Sequence, residues 1–129
     1  MNKTCYINSA SSISSQNTFR NNNFFEKIII HKEKIANAIE PNYSKIINPI
    51  SIRRMSKITK MGIARAKSAL KKGNIMMPDA IITGTGMGCL KDSEKFLKSI
   101  IENNEKFLSP TEFIQSTHNT VGSQIALNL

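Results

Sequence analysis

The fold class is decided by the stretch PDAIITGTGMG, residues 78–88. Its first half, Pro78–Thr83, is short, apolar and rich in β-branched side chains, and these features predict a buried strand. Three alternating glycines follow, and apolar residues then recur at helical spacing from about Lys91 to Asn103. A strand, a glycine turn and a helix form half of a βαβ unit, so the sequence predicts an α/β fold.

An amphipathic helix is predicted before this unit, from Ser51 or Arg53 to Lys72. Small and apolar residues recur on one face and lysines on another. From Arg53 to Lys72 there are eight basic residues and no acidic one, and they account for nearly all of the net charge of +9. Such a patch is typical of a protein with an acidic partner, although lysines also occupy solvated faces that bind nothing.

The rest of the chain gives weaker signals. Thr4–Ile7 predicts a short strand, and residues 8–23 have the composition of a loop. Residues 24–39 fit a helix or a strand equally well, so both interpretations stay open. Leu108–Phe113 predicts a turn, and Val121–Leu129 predicts the start of a helix.

The alternating glycines are the first candidate for chemistry. Gly84, Gly86 and Gly88 resemble a phosphate cradle, in which bare backbone N–H groups approach an anion. Their spacing is GxGxG, however, and not the GxGxxG of a dinucleotide site, and no Lys-Ser/Thr pair follows as in a P-loop. A tight turn with close helix packing explains them as well, and we favour that interpretation.

Cysteine and histidine are the second candidates. Cys5 and Cys89 are far apart and show no CxxC spacing, which indicates a reducing compartment and two structural thiols. His118 lies beside Thr117 and Asn119, either of which could cap the last helix, and a capping cluster is the favoured interpretation. No residues have metal-ligand spacing. The sequence therefore predicts no catalytic, cofactor or metal site.

Three segments taken together resemble the N-terminal half of a β-ketoacyl-acyl carrier protein synthase. They are IRRMS at 52–56 before an Ala-rich helix, PDAII at 78–82 before the glycines, and LSPTEFIQSTHNTVG at 108–122. The last resembles the passage that precedes the nucleophile of these condensing enzymes. Its His118-Asn119 pair is similar to that of a divergent subgroup of the family, which is found with aryl polyene or flexirubin-type pigment gene clusters. Members of this subgroup include ketoacyl synthases and chain-length factors.

The resemblance implies a thiolase-like, layered αβαβα fold. It also implies an enzyme activity, the condensation of malonyl units onto an acyl chain. Catalysis in the family uses a cysteine nucleophile, and family spacing would place it about a dozen residues beyond Leu129. We therefore expect residues 1–129 to be an apparently truncated N-terminal portion without the catalytic residues, in which residues 20–50 form an irregular insertion or connection. Neither Cys89 nor His118 is expected at a catalytic position.

The resemblance also implies an acidic acyl carrier protein as partner. Electrostatic attraction between a basic surface and an acidic partner steers their association, and added salt weakens this attraction. Our candidates for carrier-protein docking are the basic residues that open the predicted helix or lie along it: Arg53, Arg54, Lys57, Lys60, Lys67 and Lys71. The two arginines could instead be buried ion-pair partners. We expect a homodimer, or a heterodimer with another ketoacyl synthase subunit.

The sequence also indicates the location of the protein and allows two alternative functions. No apolar stretch approaches the roughly 20 residues of a membrane span. The first residues lack the apolar region of a secretory signal, so we expect a cytoplasmic protein. One alternative is a catalytically inactive chain-length-factor partner. Another is a basic nucleic-acid-binding module, which is disfavoured because no aromatic residue alternates with the basic run; we therefore expect no nucleic-acid partner.

Overall fold

The computed structural model describes residues 4–129, and the regular structure in that range is helical. A short 3₁₀ turn at Tyr43–Lys45 precedes the helices. The helices are α1 (Pro49–Ile52), α2 (Lys57–Lys72), α3 (Leu90–Glu102), α4 (Pro110–Ser116) and α5 (Thr120–Asn128). None of these helices is long and apolar enough to cross a bilayer.

The two predicted strands do not form within the described residues. Thr4–Ile7 and Pro78–Thr83 lie outside regular secondary structure, and Ile82 is 95% exposed. A strand satisfies its backbone N–H and C=O groups through a neighbouring strand. Within residues 4–129, the backbone of residues 76–87 makes no hydrogen bond to another backbone group. The α/β prediction is therefore not confirmed, because the apolar pattern is present without the neighbouring strand that it requires.

The main amphipathic helix is shorter than predicted at its start. The chain turns between α1 and α2, where the Met55 N–H donates to the carbonyl of Ile52. Ser56 then caps α2, because its side chain accepts a hydrogen bond from the Thr59 N–H. The predicted start at Ser51 or Arg53 is wrong for this reason, and the predicted end at Lys72 is confirmed.

The later helices follow the sequence more closely. The helix predicted from Lys91 to Asn103 is α3, displaced by one residue. The predicted turn is wrong: Ser109 occupies the N-cap position and Pro110 the first helical position of α4, where the missing N–H of proline costs nothing. Asn119 is the N-cap residue of α5, but its side chain makes no capping hydrogen bond. The ambiguous residues 24–39 form neither a helix nor a strand.

Packing joins the helices in two pairs, α2 with α5 and α3 with α4. The buried side chains of Ile47, Ile63 and Ile125 form one cluster, to which α2 and α5 both contribute. Gly62 allows these two helices to approach closely, since a Cβ atom at that position would lie 2.9 Å from Cγ1 of Val121. The small residues of α2 therefore serve helix packing, as its amphipathic pattern predicts.

Candidate functional site

The basic surface of α2 contains most of the docking candidates. Lys57, Lys60, Lys67 and Lys71 lie within roughly 80° of one another around the helix axis, since each residue advances the helix by about 100°. They extend over about 21 Å of helix, at 1.5 Å per residue. We call this stripe of four lysines the basic face.

The start of the basic face forms an ion pair within the chain. Lys57 Nζ lies 2.7 Å from Oε1 of Glu40, and the Tyr43 hydroxyl donates a hydrogen bond of 2.9 Å to the other carboxylate oxygen. The hydrogen bond from Lys57 is the main reason that the pKa of Glu40 lies below its usual value. Burial, followed by the hydrogen bond to Glu40, raises the pKa of the Tyr43 hydroxyl. At neutral pH the carboxylate is therefore charged and the tyrosine protonated.

Two further lysines of the basic face contact the same preceding segment. Lys60 Nζ lies 5.7 Å from the centre of the Tyr43 ring, a cation–π distance. Lys67 Nζ donates a hydrogen bond of 3.4 Å to the carbonyl of Ile46. Residues 40–46 thus run along the basic face and contact three of its four lysines. This contact was not predicted from the sequence, because no local pattern links residues 40–46 to the side chains of a later helix.

The remaining docking candidates stand at the two ends of α2. Arg53 and Arg54 are exposed in the turn before the helix, and Lys71 is exposed in its last turn. Each of the ion pairs found among residues 4–129 involves a lysine elsewhere, so none engages these three cations. The backbone carbonyl of Arg54 accepts a hydrogen bond from the Gln115 side chain, which ties the turn to α4. Exposure and the absence of such pairs contradict the interpretation of the arginines as buried ion-pair partners.

An open groove lies between the first turns of α2 and the start of α3. Its volume is about 930 Å³, and its apolar lining includes Ile58, Met61, Met87 and Leu90. Lysines from both helices also line it, with two acidic residues among them. The groove can accept an apolar group, but its mixed charges do not select an anion.

Cys89 is buried at the N-cap position of α3, where its thiol donates a hydrogen bond of 3.4 Å to the Thr117 carbonyl. Burial, followed by the charge of Asp92, raises the pKa of this thiol. It is therefore protonated and engaged, which suits a structural role. Cys5 is exposed, so the sequence interpretation of it as a structural thiol finds no support in burial.

The glycine loop has the geometry of a turn. Gly88 has a φ of 58°, which glycine adopts without the usual steric cost, and its N–H donates a hydrogen bond of 2.9 Å to the Thr85 hydroxyl. One N–H that could face an anion is therefore already used. His118 is exposed. In the part of the chain that the structure describes, no group of three or more His, Cys, Asp or Glu residues could hold a metal ion.

Comparison with known protein families identifies a match that covers most of the chain. Residues 30–128 match the family model described as "Beta-ketoacyl synthase, N-terminal domain". The matched range contains all five helices, the basic face and the glycine loop. No curated protein matches the chain.

Proposed function

This chain belongs to the β-ketoacyl synthase family, through the N-terminal domain of that family, and on this premise we propose that it serves acyl-chain elongation of the fatty-acid or polyketide type. The match over residues 30–128 is the observation that supports the proposal. Family membership implies a thiolase-like fold. Proteins of this family generally work with an acyl carrier protein and as dimers.

The proposed reaction is a decarboxylative Claisen condensation. A cysteine of the full enzyme would attack the thioester of an acyl carrier, so that the acyl group becomes a thioester of the cysteine and the carrier thiol leaves. A malonyl thioester would then lose carbon dioxide, and its carbanion would attack the acyl carbonyl to give a β-ketoacyl thioester and release the cysteine. Within the passage LSPTEFIQSTHN, the His118-Asn119 pair is the feature that supports our proposal of the aryl polyene or flexirubin-type subgroup. We assign no residue of this chain to the chemical step.

The proposed fold includes a strand at Pro78–Thr83. Its β-branched residues Ile81, Ile82 and Thr83 favour a strand, and its position between α2 and α3 suits a βαβ connection. The backbone groups of this segment lack backbone partners among the described residues and are therefore available to a neighbouring strand. A layered α/β sheet would satisfy these groups and cover Ile82.

We propose that the carrier protein docks on the basic residues of α2 and the preceding turn. Arg53 and Arg54 would make the first contacts, because they are exposed and lie outside the ion pairs of residues 4–129. Lys71 would contact the partner at the far end of the helix. The lysines beside residues 40–46 would contribute less, because contacts within the chain already engage them.

A binding assay with a phosphopantetheinylated acyl carrier protein tests this docking. Each exposed charge contributes roughly 0.2–1 kcal/mol, so the double variant Arg53→Ala/Arg54→Ala should bind about 2- to 30-fold more weakly. Affinity of the unchanged chain should fall as salt is raised. The matched control Lys32→Ala/Lys34→Ala removes the same charge from an exposed loop and should bind like the unchanged chain. Equal affinity of the arginine variant and the unchanged chain would contradict the proposed site.

A catalytically inactive chain-length-factor partner is the alternative within the same family. The two differ at the nucleophile, so the coding sequence after Leu129 separates them. A cysteine in a small-residue turn within about 25 residues supports an enzyme, and its replacement supports the inactive partner. For both, we place the protein in the cytoplasm, where the cysteines stay reduced.

A further inference from the structure

A closed loop precedes the helical part of the chain. At its base, Gln16 Nε2 donates a hydrogen bond of 2.9 Å to the Ile29 carbonyl, and the Ile29 N–H donates one of 2.8 Å to Gln16 Oε1. Just outside this base, a hydrogen bond of 3.1 Å joins His31 Nε2 and the Ser15 carbonyl. Residues 16–29 therefore form an Ω-type loop, a class of loop that often carries function. We call it the aromatic loop.

The aromatic loop and the residue just after it expose large apolar side chains. Phe25 is 74% exposed, Ile28 is 63% exposed and Ile30 is 85% exposed. The rings of Phe24 and Phe25 contact each other, with 4.0 Å between their centroids. Apolar groups gathered in one exposed segment mark an interaction site more often than apolar groups scattered singly.

Cations lie within the aromatic loop and against it. Arg20 lies over the Phe19 ring, with its guanidinium carbon 5.2 Å from the ring centroid, and Lys27 is exposed. Lys72 Nζ donates a hydrogen bond of 3.4 Å to the Asn22 side chain, which brings the basic end of α2 against the loop. None of these three cations belongs to an ion pair within residues 4–129. Residues 16–29 contain a single acidic residue, at position 26.

We propose that the aromatic loop binds the surface of an anionic lipid bilayer. Phe25, Ile28 and Ile30 would enter the boundary between headgroups and acyl chains, and Arg20 and Lys27 would contact the headgroups. Apolar burial and attraction to anionic lipid act together at such interfaces. The loop itself, residues 16–29, lies outside the matched range 30–128, so this proposal goes beyond the condensation function that the match supports.

The composition of the loop favours lipid over single-stranded nucleic acid. Bases bind by stacking on free aromatic faces, whereas Phe24 and Phe25 contact each other and partly cover their faces. Ile28 and Ile30 are aliphatic and offer no stacking surface, but they are well suited to an acyl-chain boundary. The net positive charge of the chain, +9, complements an anionic bilayer.

Sedimentation with lipid vesicles tests the proposal on the whole chain. Vesicles of phosphatidylcholine with about one third phosphatidylglycerol should bind it, and pure phosphatidylcholine vesicles should bind it far more weakly. Phe25→Ser/Ile28→Ser should weaken binding about 10-fold or more, because both side chains would be buried in the bilayer. Arg20→Gln/Lys27→Gln should weaken it about fivefold for each cation.

A matched control removes apolar surface elsewhere. Met76→Ser/Phe107→Ser changes side chains that are 96% and 97% exposed and lie outside the loop, and it should leave vesicle binding unchanged. Circular dichroism of each variant checks that the helices remain. Equal loss of binding in this control, or equal binding to both kinds of vesicle, would overturn the proposal. So would tighter binding to a single-stranded oligonucleotide than to the anionic vesicles.

Discussion

Gly62 offers a sharp test of how α2 and α5 pack. A methyl group at this position would lie 2.9 Å from Cγ1 of Val121, closer than carbon atoms normally approach. The next nearest atom, Cδ1 of Ile125, would lie 3.5 Å away, which is ordinary contact. The change Gly62→Ala therefore sets one steric conflict against the higher helix propensity of alanine.

The magnitudes predict a net loss of stability. Overpacking of a core contact costs about 1–3 kcal/mol, and replacing glycine by alanine inside a helix gains about 1 kcal/mol. The free energy of unfolding should thus fall by about 0–2 kcal/mol. With a urea dependence of about 1–3 kcal/mol per molar, the midpoint of unfolding moves to lower urea by up to about 2 M.

A double-mutant cycle with Val121→Ala isolates the contact. Val121→Ala removes the Cγ1 atom, so in that background Gly62→Ala should stabilise the chain by about 1 kcal/mol through helix propensity alone. Urea unfolding followed by circular dichroism gives all four free energies. Gly86→Ala is the control. A Cβ atom at that position would have no neighbouring atom within 4 Å, so this substitution should leave the free energy of unfolding nearly unchanged. The same effect of Gly62→Ala in both backgrounds would refute the packing argument.

Two further predictions concern the cap of α2 and the thiols. Ser56→Ala should lower the free energy of unfolding by about 1 kcal/mol in urea titrations, because the Thr59 N–H loses its acceptor; an unchanged midpoint would show that this cap is unimportant. In the folded chain at mildly alkaline pH, iodoacetamide should label Cys5 before Cys89, because Cys89 is buried, donates to the Thr117 carbonyl and has a raised pKa. Mass spectrometry of the two cysteine peptides measures the rates, and faster labelling of Cys89 would contradict its buried placement.

The helices were predictable where the signal is local. The apolar spacing and the following glycine predict the end of α2 at Lys72, and the periodicity after the glycine loop predicts α3 to within one residue. The start of α2 was not predicted, because the apolar spacing continues back through α1 and does not show that the chain turns before Ser56. The Ser56 side chain accepts a hydrogen bond from the Thr59 N–H, and this cap sets the first residue of α2. At α4, the pattern Ser109-Pro110 is typical of both a turn and a helix start, and the helix forms.

Features that depend on distant partners were not predictable in the same way. The β-branched pattern of Pro78–Thr83 predicts a strand, but a strand needs a neighbour, and the described residues supply none. The lysines of the basic face were predicted as a solvated or docking surface. Their contacts with Glu40 and Tyr43 depend on tertiary packing, which helical periodicity does not encode.

The contact of residues 40–46 with the basic face changes the shape of the electric field around α2. Glu40 offsets the charge near the start of the stripe, whereas the arginine pair before the helix and Lys71 at its end remain exposed. Positive potential therefore extends from the arginine pair past Lys60 and Lys67 to Lys71, over about 24 Å, the length of a 16-residue helix. An extended positive surface defines an axis, so an elongated acidic partner would be aligned with α2 as it approaches, before any short-range contact forms.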